Sequence, residues 1–331
     1  MVLALNAKSK PSEGAHVLVT GGAGFIGSHL VERLLAQGKS VVVVDDLSTG
    51  KLDNLRAVRS NPRLKVVQSK ISGCADLAQK VGEAESVYHL AAAVGVELVV
   101  NSPIRVLETN LHETEVLLEA AAAARTPVLL ASTSEVYGKS QKADFSEEDD
   151  LLIGPPHQTR WGYACSKLMD EFLALAYWRE RALPVVISRL FNTVGPRQTG
   201  NYGMVLPRFI AAARSGRSLK VYGDGRQTRC FCYVLDTVEA LIALQNCPSA
   251  RGQVFNVGST EEISIGALAA LVIEVLGSKS QVEFVPYEKA YAPGFDDMLR
   301  RKPSVEKLAR CTGVRPNTPL RRIIELIMQS D

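Results

Sequence analysis

Two rhythms of apolar residues alternate along the first part of the chain. Short continuous runs recur at His16–Thr20, Val41–Val44, Leu64–Val67, Val87–Leu90, Val128–Leu130 and Val185–Ser188. Runs of this length with many β-branched residues, such as the four valines at 41–44, are read as strands buried on both faces. Between them lie segments whose apolar positions repeat every three to four residues: Ser28–Gln37, which Gly38 stops, Leu107–Ala124 and Tyr163–Arg181. Strand and helix in regular alternation predict an α/β fold built on a doubly wound parallel sheet.

After about Gly195 the rhythm breaks. Loops rich in Gly, Pro and Arg appear at Pro196-Arg197-Gln198, Tyr222-Gly223-Asp224-Gly225-Arg226 and Arg300-Arg301-Lys302-Pro303, with shorter elements between them. We therefore expect an N-terminal extension over 1–14, a large domain over 15–195 and a smaller C-terminal α/β lobe over 196–331. Segments near 236–258 are expected to return to the large domain.

Composition narrows the function classes. The 331 residues are 46% hydrophobic and 22% charged, an ordinary globular balance. With 38 Lys and Arg against 35 Asp and Glu, the formal net charge is +3, which gives no support for a nucleic-acid surface. The N-terminus lacks the apolar stretch of a signal peptide. The most apolar later run, Val87–Val100, is broken by His89 and Glu97, so no membrane span is expected. The six cysteines show no zinc spacing, so no metal is expected; Cys230 and Cys232 are read as structural thiols, and a reduced, cytoplasmic setting is the expectation.

The chemistry is carried by three groups of residues. Gly21, Gly24 and Gly27, with Phe25 and Ile26 between them, follow the first strand and open a helix. Glycines there allow a tight turn and close approach of a pyrophosphate to the free N–H groups of a helix start. Asp45 closes the second strand, where a carboxylate accepts hydrogen bonds from the adenosine ribose and repels a 2′-phosphate, so the expected cofactor is NAD rather than NADP. A turn or helix-cap role is the plainer alternative for Asp45. Tyr163 and Lys167 lie four apart on a predicted helix and share one face. An ammonium beside a phenol stabilises the phenolate, so Tyr163 is read as the general base. Ser132, Thr133 and Ser134 end a buried strand, at the sheet edge where ligands sit.

Together, Gly21-x-x-Gly24-x-x-Gly27, His89-Leu90-Ala91-Ala92, the hydroxyl cluster and Tyr163-x-x-x-Lys167 resemble the extended short-chain dehydrogenases that act on nucleotide sugars. The likeness continues through Arg189-Leu190-Phe191-Asn192, Gly195-Pro196-Arg197 and the run from Val221 to Asp236. It implies a Rossmann domain with a substrate-binding lobe. Leu90, Ala91 and Ala92 would lie at the cofactor, Thr133 would assist Tyr163 and Lys167, Ser134 would meet substrate, and Asn192 and Arg229 would contact the nucleotide diphosphate. It also implies a homodimer through helices around Asn101–Ala124 and Tyr163–Arg181. One departure is visible: Lys70-Ile71-Ser72 stands where the family usually places an acidic residue beside the adenine.

Within the family, Ser132-Thr133-Ser134-Glu135-Val136-Tyr137-Gly138 is similar to the loop of UDP-glucuronate decarboxylases, as are Arg160-Trp161-Gly162-Tyr163 and Arg301-Lys302-Pro303-Ser304. The resemblance implies transient oxidation at C4 of a UDP-sugar, with Glu135 near C5 and C6 and Arg301 holding an anionic group. A 4-epimerase acting on a UDP-hexose or UDP-glucuronate stays open, since the loop Gln198–Met204 is as close to that group. So do a 4,6-dehydratase and a nucleotide-sensing protein that has lost its chemistry. Glu135 has a plainer reading as well, as the partner of an arginine.

Overall fold

A computed structural model describes residues 15–94, 102–200, 204–286 and 298–330. The expected N-terminal extension, part of the 198–204 loop and the first residue of the expected dimer segment, Asn101, lie outside these residues.

Seven strands form one sheet: β1 (His16–Thr20), β2 (Val41–Asp45), β3 (Leu64–Gln68), β4 (Ala84–His89), β5 (Val128–Thr133), β6 (Val185–Leu190) and, later in the chain, β11 (Gln253–Val257). Their spatial order is β11-β6-β5-β4-β1-β2-β3, and every pairing is parallel. The order reverses between β1 and β4, so the loops after these two strands diverge and leave a crevice at the C-terminal sheet edge.

Helices cover both faces. On one lie α1 (Phe25–Ala36) and α6 (Val234–Gln245), whose apolar residues form a cluster with one side of the sheet. The short α8 (Glu306–Thr312) adds Leu308 to the same cluster. On the other face, α2 (Leu77–Glu83), α3 (Pro103–Ala124) and α4 (Arg160–Arg181) complete a second cluster. A third cluster lies in the C-terminal region, around α5 (Val205–Arg214), α7 (Ile265–Leu276) and α9 (Leu320–Gln329). Three two-stranded sheets complete the strand pairing among the described residues. They join β7 (Thr193–Val194) with β10 (Cys232–Tyr233), β8 (Leu219–Tyr222) with β13 (Val282–Val285), and β9 (Thr228–Cys230) with β12 (Glu262–Ser264).

Helix starts differ from the sequence expectation in an informative way. α3 begins at Pro103, because proline is well suited to a first helical turn, where its missing N–H costs nothing. α4 begins at Arg160, so Tyr163 stands in its first turn and Lys167 one turn deeper. α1 begins at Phe25, directly on the glycine loop. Leu90 lies just beyond β4, in the loop that enters the crevice.

Candidate active site

The glycine loop is shaped by close contacts that exclude side chains. A Cβ on Gly27 would collide with the Gly21 carbonyl oxygen, and one on Gly21, whose φ is +70°, would meet the Ala91 nitrogen at 2.7 Å. Backbone is thus packed on backbone where α1 begins, and no side chain caps that helix. Its first N–H groups face a cavity of about 440 Å³ lined by Gly21, Gly24, Phe25, Ile26 and Gly27. Leu90, Ala91 and Ala92 line the same cavity from β4's side. A side-chain-free cradle at a helix N-terminus fits a pyrophosphate.

Asp45 lines the same cavity and is 7% exposed. Its carboxylate accepts from Ala23 N–H and Leu47 N–H, each at 2.9 Å. Burial pushes its pKa up, and these two N–H groups oppose that. The turn role therefore coexists with its place on the cavity, since each carboxylate oxygen keeps further acceptor capacity. Asp45→Asn removes the charge at almost constant shape. Loss of charge-assisted hydrogen bonding costs about 1.5–3 kcal/mol, so NAD affinity should drop roughly ten- to 100-fold, measured by titration calorimetry. Unchanged NAD affinity would leave Asp45 with the turn alone.

A carboxylate does reach the region after β3. Ser69, Lys70 and Ile71 line the cavity, and Glu113 reaches them from α3. Its carboxylate accepts from Ser72 N–H at 2.8 Å and from Ser72 Oγ at 2.7 Å. Sequence reasoning passed over Glu113 because a mid-helix glutamate is usually solvated; its signal is the helical face it shares with Asn110, three residues earlier.

The hydroxyl cluster, Tyr163 and Lys167 converge. Thr133 ends β5, and its Oγ1 accepts from Glu135 N–H at 3.2 Å while its side chain also hydrogen-bonds Tyr163. Ser134 is buried beside it on the cavity wall. Lys167 is almost wholly buried and donates to Asp170 Oδ2 at 2.8 Å. Here one expectation is corrected. In the chain alone the Tyr163 pKa is raised, not lowered: burial pushes the phenol well above its ordinary value, helped by the nearby Glu135 and Asp170 charges, while Thr133 and Arg301 act in the opposite direction.

Asp170, which sequence reasoning missed, ends a buried polar chain. Ala91 N–H donates to Thr20 Oγ1 at 3.3 Å, and Thr20 Oγ1 stands 2.8 Å from His89 Nδ1. His89 Nε2 lies 3.0 Å from Thr114 Oγ1, whose side chain hydrogen-bonds Asp170. The chain is satisfied when Thr20 donates to Nδ1 and Nε2–H donates to Thr114. Burial lowers the His89 pKa to about 3, with the Lys167 charge adding to the effect, so the imidazole is neutral at ordinary pH. Asp170 follows Lys167 by three residues, on the same helix face, which was the available signal.

Glu135 has the arginine partner that its plainer reading anticipated. Arg301 Nη1 and Nη2 stand 3.4 Å from Glu135 Oε1, and both residues line the cavity. Arg301 is delivered by a strap from the C-terminal region: Phe145 N–H donates to the Lys302 carbonyl and Ser304 N–H to the Phe145 carbonyl, both at 2.8 Å. Asn192 also lines the cavity. It has a φ of 27° and donates through Nδ2 to the Cys230 carbonyl at 3.1 Å. Arg229 is elsewhere: it is buried on β9, donates to the Thr228 carbonyl at 2.8 Å and does not line this cavity. Among the described residues, no helix is long and apolar enough to cross a membrane, and no cluster of metal-ligating side chains is found.

Comparison with known proteins defines the class. The NAD dependent epimerase/dehydratase family matches residues 17–258. The chain belongs to this family and is an enzyme whose cofactor is NAD. It is 42% identical, over 91% of its length and 92% of the relative's, to UDP-N-acetyl-alpha-D-glucosaminuronate decarboxylase of Bacillus cytotoxicus. It is 34% identical to UDP-glucuronic acid decarboxylase 2 of Arabidopsis thaliana, over 96% of this chain and 68% of that one. Among solved structures, UDP-glucuronic acid 4-epimerase from Bacillus cereus, in complex with UDP-4-deoxy-4-fluoro-glucuronic acid and NAD, has a TM-score of 0.85 at 28% identity, covering 95% and 98% of the two chains.

Proposed function

We propose that this enzyme decarboxylates a UDP-linked uronic acid, a glucuronate with either a hydroxyl or an acetamido group at C2. The observation that carries this reading is the Glu135–Arg301 pair on the cavity wall beside Tyr163. The two decarboxylases compared above differ by name only in that C2 substituent, so the shared uronate chemistry is the supported part.

Bound NAD supplies a hydride acceptor and, in its oxidised form, a positive charge. The chain's own groups do the rest. Tyr163 Oη takes the proton from the C4 hydroxyl, and Thr133 orients the phenol through their hydrogen bond. Lys167 provides a fixed ammonium at the base of the cavity, held by Asp170. The C4 ketone makes the substrate a β-keto acid. Its carboxyl carbon leaves as CO2, the bonding electrons pass to the ketone oxygen, and C5 then takes up a proton. Arg301 receives the uronate carboxylate, for which a guanidinium fork is well matched. Glu135 then assists CO2 departure or handles the C5 proton. Return of the hydride from the reduced cofactor to C4, with a proton from Tyr163, would yield a UDP-pentose. Asn192 and the C-terminal lobe over 196–331 hold the nucleotide end, with the segments near 236–258 belonging to the large domain.

Incubation with UDP-glucuronate and with its N-acetylated counterpart tests the reading by CO2 release and product mass. Interconversion of gluco and galacto forms without CO2 would replace it with the 4-epimerase, an alternative that the likeness to the Bacillus cereus enzyme supports.

We also propose a homodimer. Ile104, Leu107 and Leu111 on α3 are 70%, 40% and 38% exposed, and Met169 and Phe172 on the adjoining α4 are 52% and 63% exposed. The spacings follow one stripe on each helix, and two packed helices sharing such a surface suit an isologous two-fold contact. Phe172→Glu should convert the dimer to monomer in light scattering at micromolar concentration. A wild-type monomer would overturn the proposal.

A further inference from the structure

Far from the catalytic cavity, two half-buried thiols face each other. Cys247 Sγ and Cys311 Sγ are 2.8 Å apart across 64 positions of sequence. Cys247 follows the end of α6, and Cys311 lies in α8. Both are anchored by core packing. Leu308 of α8 is fully buried in the cluster that includes Val238 and Leu241 of α6, and the two cysteines pack against that cluster. The two sulfurs already stand side by side, whereas thiols held apart are the usual obstacle to forming a cross-link.

We propose that Cys247 and Cys311 are a modification site: a dithiol that a low-molecular-weight disulfide, such as oxidised glutathione, converts to an intramolecular disulfide.

The surroundings assign the order of events. Cys247 Sγ lies 3.1 Å from Ser249 Oγ. Burial raises its pKa, but hydrogen bonds from Cys311 and Ser249 and the N–H groups of Ala250 and Ser249 outweigh this, so its thiolate is favoured. Cys311 is shifted up, first by burial and then by its bond to Cys247. The Cys247 thiolate attacks one sulfur of oxidised glutathione and expels a glutathione thiolate, which takes up a proton. Cys311 then gives up its proton and attacks the Cys247 sulfur, expelling the second glutathione. Two protein thiols are oxidised, and one disulfide is reduced to two thiols.

The consequence is a clasp rather than a switch of the active site. Cys247 and the 248–250 turn precede β11 at the N-terminal edge of the sheet, where Gly252 N–H meets the Val185 carbonyl. The cavity is at the opposite edge. The clasp ties α8, which directly follows the Arg301 strap, to the large domain. Closing a long loop restricts the unfolded chain, so oxidation should raise Tm and leave turnover within about two-fold.

The test uses the reduced full chain treated with oxidised glutathione. We expect a monomer lighter by two hydrogens, a non-reduced Cys247–Cys311 peptide and a higher Tm that reductant reverses. Cys311→Ser should instead trap a stable glutathione adduct on Cys247, while Cys247→Ser should form neither cross-link nor Tm gain. Absence of the cross-link in wild type, linkage through other cysteines, or an adduct confined to Cys311 would overturn the proposal.

Discussion

Tyr163→Phe is expected to lower turnover by at least about 100-fold, the usual cost of losing a general base, while NAD and the UDP-sugar still bind. The hydroxyl is the only part removed, and the ring keeps its place in the first turn of α4. Thr133, its hydrogen-bond partner, keeps the bond to Glu135 N–H, so the 133–137 turn should survive. A pH effect follows from the electrostatics. In the chain alone the phenol is held above its ordinary pKa by burial and by Glu135 and Asp170, so little phenolate exists near neutrality. Oxidised NAD brings a positive charge into the same cavity, which favours the charged form of the base. Phenolate absorbance should therefore appear at lower pH when NAD is added, and this component should be absent in Tyr163→Phe. Turnover in the variant within a few fold of wild type would remove Tyr163 from the mechanism.

Legibility in the sequence followed the local character of each signal. The sheet was readable because four successive valines at 41–44 or the run at 185–188 leave few options other than a strand buried on both faces. Gly21, Gly24 and Gly27 were readable because backbone packs directly on backbone there, so that a Cβ at Gly27 has no room beside the Gly21 carbonyl. Helix starts were less so: the apolar period begins at Leu107, whereas the hydrogen-bonded turn begins at Pro103. What stayed hidden depends on distance in sequence. Lys167 and Asp170 are close on one helix, yet the neutral His89 and Thr114 that complete their network arrive from β4 and α3. Glu113 reaches Ser72, just past β3, from a helix far along the chain. Arg229, placed on the nucleotide by motif likeness, is buried on β9 and donates to the Thr228 carbonyl, a side-chain placement that a motif of residue types does not carry.

Glu135→Gln separates the two leading reactions, because decarboxylation and epimerisation share the oxidation at C4 and diverge afterwards. Glu135 and Arg301 form a loose pair at 3.4 Å, and the Glu135 side chain keeps 21% exposure to the cavity. Under the proposed reaction an incoming uronate carboxylate would compete with Glu135 for the same guanidinium. Two carboxylates near one cation repel each other, and loss of CO2 would relieve that repulsion while restoring the original pair. The substituted amide would keep the shape, accept one weaker hydrogen bond from Arg301 and remove the repulsion. The substrate should then bind as well or better. CO2 release should fall by at least about ten-fold, within the range of a general acid–base group, and NADH formation in the first half-reaction should change less. Single-turnover absorbance of NADH against trapped CO2 resolves the two steps. Equal loss of both would place Glu135 in the oxidation step beside Tyr163. Unchanged CO2 release would return it to a purely structural partnership with Arg301.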